Sequence, residues 1–228
     1  MKSRIILLTV LILPTLIYIY FALGVPKAFR APFFGPRHAI QITDKNGNPK
    51  TDTAYFQIAP FKCRTLANAD FDSHQLDGIL YTAIFADPDS VEDVIHFLAE
   101  DLHMNREKYQ YARFAFLCPV DSNTKVLPDF AGDLKLGKDT GFMLYMDRTM
   151  FDSLHDKYYF TPDASRKKDP WGSKYDAVLI DRKSRIRGYY NIRSASELKK
   201  LKEDIPFIFQ RDEAAETIES STITQDRK

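Results

Sequence analysis

Between Phe85 and Asp93 the chain reads FADPDSVED, which gathers Asp87, Asp89, Glu92 and Asp93 where an apolar run gives way to a helical period. Carboxylates so placed have three uses. Asp89 or Ser90 can cap the helix, with Glu92 completing a D-x-x-E box and the acids set against the positive end of the helix dipole. They can contribute to a Ca2+ or Mg2+ site if another loop lends carbonyl oxygens. They can also offer an acidic surface to a basic partner.

The other chemistry-bearing residues are dispersed. Cys63 and Cys118 make no CxxC and stand at no metal-ligand spacing from a histidine. Outside the cytoplasm they could form one disulfide; as two separately buried thiols they would simply pack. Of the histidines His38, His74, His96, His103 and His155, only His96 and His103 share a helix face, with no Cys or Met cluster beside them. Met143, Met146 and Met150 surround a strand-to-helix turn, where packing explains them better than a soft-metal site does. Asp121 and Ser122 form no recognisable triad with any histidine. Trp171, the only tryptophan, lies among the cations of SRKKDPWGSK, as a contact surface or as part of a solvated loop. No catalytic residue, cofactor or metal is expected from these residues.

The elements that must position these groups alternate. Strands are expected at His38–Thr43, Ala54–Ile58 and Phe61–Thr65, with an Asn-Gly turn after the first. Leu80–Phe85 is a strand. A helix follows from about Ser90 to His103, with Val91, Val94, Ile95, Leu98 and Leu102 on its apolar face. The unbroken run Tyr111–Val120 fits a buried parallel strand. A weaker helix at Lys125–Leu136, a strand GFMLYM and a helix Thr149–Tyr158 come next. After a polar loop, Ala177–Asp181 and Ile186–Tyr190 make a hairpin. A closing helix buries Leu198, Leu201 and Ile205, its start marked by the Ser194/Glu197 capping box. This order predicts an α/β mixed sheet with helices on both faces, thioredoxin-like, preceded by an N-terminal β-hairpin.

Ile5–Gly24 carries no charge and is long enough, at about 1.5 Å per residue, to cross a hydrocarbon core of roughly 30 Å. Tyr18, Tyr20 and Phe21 suit an interfacial belt. The expected organisation is a transmembrane anchor over residues 1–24, a tether over 25–37, one domain over 38–210 and a disordered polar tail over 211–228. A cleaved signal peptide is the competing reading of the first segment. A short N-terminus before a single span puts the domain on the outer, periplasmic side of the cell membrane. With 32 basic against 31 acidic residues, charge gives no case for nucleic acid.

Several segments, in this order, resemble the Sco/SenC proteins, membrane-anchored thioredoxin-fold copper chaperones associated with cytochrome c oxidase assembly. They are FFGP, AYFQIAPFKC, DSHQLDGILYTAIF, PVDSNTKVL and KYDAVLIDRKSRIRGYYN. In that family the turn after the core strand carries two cysteines three residues apart, and a histidine precedes the L-I-D strand; together they bind copper and cycle as a dithiol. Here Asp87 and Val91 stand at the two cysteine positions, and Gly172 and Ser173 lie where the histidine is sought. Valine neither coordinates a metal nor forms a disulfide, and a carboxylate is a poor Cu(I) ligand. The resemblance thus implies a membrane-anchored binding or assembly factor without copper or redox chemistry, and not an enzyme. Asp87, Asp89, Glu92 and Trp171 are its candidate partner surface. The partner implied is a membrane or periplasmic protein in respiratory-complex or metal-homeostasis assembly, with no small-molecule substrate. The alternative is a copper or thiol-redox protein that uses Cys63, Cys118 and a histidine.

Overall fold

An apolar run without alternation needs cover on both sides, and that is where Leu80–Ala86 lies. In the structure, a computed structural model, the described residues are 32–43, 47–65, 67–86, 91–119, 141–159 and 176–225, without the side chains of 91–97 and 213–225. Strand β5 (Tyr81–Phe85) is buried at every position and runs parallel to β6 (Arg113–Pro119), which runs parallel to β7 (Gly141–Met146). On its other side β5 pairs antiparallel with β8 (Ala177–Ile180), followed by β9 (Ile186–Tyr190). Strands β3 (Lys62–Thr65) and β4 (Asp70–Asp72) complete a mixed seven-stranded sheet, ordered β4-β3-β7-β6-β5-β8-β9.

Each face of this sheet carries its own cover. On one, Tyr81, Ala83, Phe85, Leu117, Leu144, Met146, Val178 and Ile180 pack against Phe151, Leu154 and Tyr159. Phe151 and Leu154 come from helix α3 (Arg148–Ser153) and the π-helical turn Leu154–Tyr158 that continues it, and Tyr159 caps that turn. Asp147 caps α3 by accepting from Met150 N–H at 2.9 Å. The opposite face meets α1 (Val91–Met104), the short α2 (Arg106–Tyr109) and α4 (Ala195–Gln225). Tyr109 packs edge-on against Phe114, and Tyr190, beside Ala177 in register, donates to Asp204 of α4 at 2.7 Å. Asp101 ties these helices together, accepting from Tyr109 Oη at 2.5 Å and from Lys202 Nζ at 2.7 Å. Leu98, Leu198, Leu201 and Ile205 are buried, as the helical period predicted. The thioredoxin-like mixed sheet with helices on both faces is therefore present.

Four boundaries differ from the sequence reading. The hairpin forms as β1 (Arg37–Thr43) with β2 (Pro49–Tyr55), so the second strand lies earlier than Ala54–Ile58. Polar Lys50–Thr53 hides the strand because both faces of this hairpin are largely exposed, while Ile58 leaves the ladder and donates to Ser184 O at 2.9 Å. The chain is already packed within the stretch read as tether: Phe34 N–H donates to Ile186 O at 3.0 Å, and Phe33 lies 4.6 and 4.2 Å from the Arg185 and Arg187 guanidiniums. At the other end α4 runs to Gln225, across the segment read as a disordered tail. Strand β4, the 3-10 turn Ser73–Leu76 and α2 are too short to leave a periodic signal. The expected anchor at Ile5–Gly24 lies outside the described residues, and among those residues no helix is long and apolar enough to cross a membrane.

The 3-10 turn yields the first prediction. His74 Nδ1 sits 2.9 Å from Asp77 Oδ2, and that hydrogen bond, followed by the charges of Asp72 and Asp77, raises the imidazole above its ordinary 6.5. A raised folded-state value means the pair stabilises the fold fully below pH 6.5 and loses that contribution as pH climbs through the raised value. A proton-NMR titration is expected to place the His74 midpoint above 6.5, and Asp77→Asn to bring it down.

Candidate functional site

Where β5 ends and α1 begins, the backbone is held from both sides. Phe85 N–H donates to Asp176 O at 2.8 Å and Ala86 N–H donates to Leu117 O at 2.9 Å. The turn that follows therefore leaves the carboxyl end of two parallel strands and enters the N-terminus of a 14-residue helix. That is the usual crevice for ligands in an open α/β sheet. At this strand end the Phe85 ring is in edge contact with Phe151 at 5.6 Å, His155 at 5.0 Å and Tyr159 at 5.3 Å. His155 Nδ1 is 2.8 Å from Asp156 Oδ1, and its imidazole, on the π-helical turn, lies at the strand end beside Phe85. Asp176, 5% exposed, stands on the far side, 3.6 Å from Arg193 Nε. Neither His155 nor Asp176 was readable as a neighbour of the turn, because both reach it through sheet order and not through spacing.

Asp87, Asp89, Trp171, Gly172 and Ser173 lie outside the described residues, as do Asp121 and Ser122. Val91 and Glu92 are placed by backbone alone, in the first turn of α1, and the side chain of His96 is likewise outside the description. His38 is exposed on β1 and His103 is exposed near the end of α1. Met146 belongs to the core cluster and Met150 packs against it, whereas Met143, three residues before Met146 on the same strand, points to the opposite sheet face. The three methionines do not converge. Among the described residues no group of three or more His, Cys, Asp and Glu could hold a metal ion.

The cysteines do not converge either. Tyr145 of β7 faces Arg64 of β3 on one side and Cys118 of β6 on the other. Cys118 is thus level with Arg64, and Cys63, the next residue along, projects from the other face of the sheet. Consistent with this, Cys63 packs against the cluster under α3 while Cys118 does not belong to it. Two strand spacings of about 4.8 Å each separate them, roughly 10 Å between Cα atoms, beyond the ~7 Å a disulfide spans. Both are free, and burial pushes each thiol up to about 12. They are packing groups on two different surfaces.

No protein-family model matches the sequence, and no curated protein matches it significantly. Solved structures do match. A SCO1/SenC family lipoprotein from Bacillus anthracis superposes with a TM-score of 0.52 at 14% identity, over 67% of this chain and 94% of that one. BsSco, a member of the Sco family of cytochrome c oxidase assembly proteins, gives 0.52 at 14% identity, over 68% and 94%. The fold is thus shared with Sco/SenC proteins, as the sequence motifs implied.

Proposed function

We propose that this Sco-like, thioredoxin-fold chain acts by binding a protein partner and not by copper or thiol chemistry. The observation that carries the reading is the placement of its only two thiols, on opposite faces of the sheet and roughly 10 Å apart. Burial pushes both thiols up to about 12, which disfavours the nucleophilic thiolate at neutral pH. Asp87, Val91 and Ser173 occupy the positions where the family's ligands stand. The expected setting is a single-span anchor at the N-terminus with the domain on the periplasmic side. The expected partner is a membrane or periplasmic protein of respiratory-complex or metal-homeostasis assembly, a class suggested by the Sco neighbours. Asp87, Asp89, Glu92 and Trp171 form the proposed contact surface.

The test uses the purified full chain in mild detergent, titrated with Cu(I) and separately poised in glutathione redox buffers. The expected outcome is no stoichiometric copper and no reversible Cys63–Cys118 disulfide. Copper bound one-to-one, or a disulfide with a potential in the oxidoreductase range, would restore the redox reading. Affinity capture through the intact anchor then identifies the partner, and the exchange Asp87→Lys with Asp89→Lys is expected to release it.

A further inference from the structure

Every sheet edge in the described chain is blunted except one. Strand β4 is three residues long and carries Asp70 and Asp72. The free edge of β9 is met at its start by the entering chain, through the Phe34 N–H bond to Ile186 O. On β2, Thr53 N–H donates to the Asp52 carboxylate at 2.7 Å and so faces away from β1. By the two-residue period, Pro49 and Thr51 face outward as well, and Pro49 has no N–H to offer. That edge is closed by a proline and by a side-chain cap, two standard protections against strand pairing.

Among the described residues, the outer edge of β1 has no such device. Opposite the outward residues of β2 stand Ala39, Gln41 and Thr43, whose backbone N–H and C=O groups therefore face away from the hairpin. The stretch HAIQIT, residues 38–43, has no proline and no Asp, Glu, Lys or Arg, and Ile40 is 42% exposed. A bare, β-branched, uncharged edge is an association template, and a two-stranded hairpin without a third strand is marginal in water.

We infer that the β1 edge is a pairing surface for a second copy of this chain, joined antiparallel through β1 to give a four-stranded sheet β2-β1-β1-β2. The register follows from the strand itself. Outward residues must face outward residues, so the two-fold axis passes through a single position, and centring it on Ile40 overlaps all seven residues. Ala39 then faces Gln41 of the other copy, Ile40 faces Ile40, and His38 faces Ile42. Arg37 falls opposite Thr43, so no like charges meet along the seam. The four isoleucines form one apolar ladder on one face, of the kind that stabilises cross-strand pairs. Two seven-residue strands bury less than the roughly 1,200 Å2 of a stable complex, so the association is weak, in the micromolar range.

Ile40→Cys in the full chain tests both the edge and the register. At a non-hydrogen-bonded antiparallel pair the two Cα atoms stand about 4.5 Å apart, within reach of a disulfide. Mild oxidation is expected to give a covalent dimer, and Thr51→Cys on the closed edge at least about tenfold less. Sedimentation of the unmodified chain is expected to show a concentration-dependent dimer, and Ile40→Lys, with an unchanged circular dichroism spectrum, a monomer. A chain that stays monomeric at about 200 µM, equal crosslinking from Ile40→Cys and Thr51→Cys, or Ile40→Cys joined only to a different protein would overturn the assignment.

Discussion

Replacing Asp181 with alanine is expected to destabilise the fold by about 3–5 kcal/mol, the range for removing one partner of a buried ion pair. Asp181 is 1% exposed and one carboxylate does several jobs at once. Its Oδ1 accepts from Lys183 N–H and Arg185 N–H, both at 3.0 Å, which closes the β8–β9 turn around the left-handed Ser184. Its Oδ2 accepts from Arg185 Nε at 2.8 Å and Arg187 Nη1 at 3.1 Å. Arg187 is itself 3% exposed, and its other carboxylate, Asp212, stands farther off at 3.8 Å with its carboxyl raised by burial. Asp181→Ala removes the acceptor shared by Arg185, Arg187 and two backbone donors; Asp181→Asn keeps an acceptor and is expected to cost distinctly less. Urea unfolding of the full chain followed by circular dichroism measures both, and an alanine effect under about 1 kcal/mol would mean Arg187 has found other compensation.

The second large effect is expected from Gly141→Ala, about 3 kcal/mol, at the upper end of overpacking. Gly141 opens β7 directly opposite Phe114 of β6, and a methyl group there would run into the Phe114 carbonyl oxygen. The obstacle is backbone in the centre of the sheet, which cannot swing aside. Gly78 separates space from conformation: its φ is +72°, yet an added Cβ meets nothing within 4 Å. Gly78→Ala is therefore expected to cost only the ~1 kcal/mol of a left-handed non-glycine residue. Urea midpoints of the two variants, measured side by side, should differ in that order; equal losses would show that the β6–β7 register yields.

Segments with a strong period were legible. Leu80–Phe85 and the Tyr111–Val120 run were visible because buried central strands read as unbroken apolar stretches, and the β8–β9 hairpin because a polar turn, Arg182-Lys183-Ser184, separates two β-prone runs. Helix α4 was found at its start, where Leu198, Leu201 and Ile205 make a stripe. Its continuation past Arg211 rests on helix-forming Glu and Ala and has no such stripe to announce it. Strand β4 has one inward residue, Phe71, and no pattern can be read from one. At the candidate site the identities Asp87 and Val91 were available from the sequence, but the facing of Cys63 and Cys118 was not. That facing depends on the register of β3 on β7 and of β7 on β6, two pairings between segments some 80 and 30 residues apart in the chain. A one-residue slip in either would put both thiols on the same face.

The way the chain enters the fold has a mechanical consequence. Tension applied at the N-terminal side reaches Phe33 before any strand of the large sheet. There it meets two guanidiniums, the Tyr55 ring at 4.1 Å and the Phe34–Ile186 bond. Arg187 is in turn bolted to Asp181, so the pull passes into the β8–β9 turn as a load spread over a charged cluster. The hairpin shares this clamp, through the Tyr55 ring of β2 and through Arg37 of β1, whose guanidinium donates to Phe33 O at 2.8 Å. Phe33 is thus the point at which the entering chain, the hairpin and the β8–β9 turn are joined.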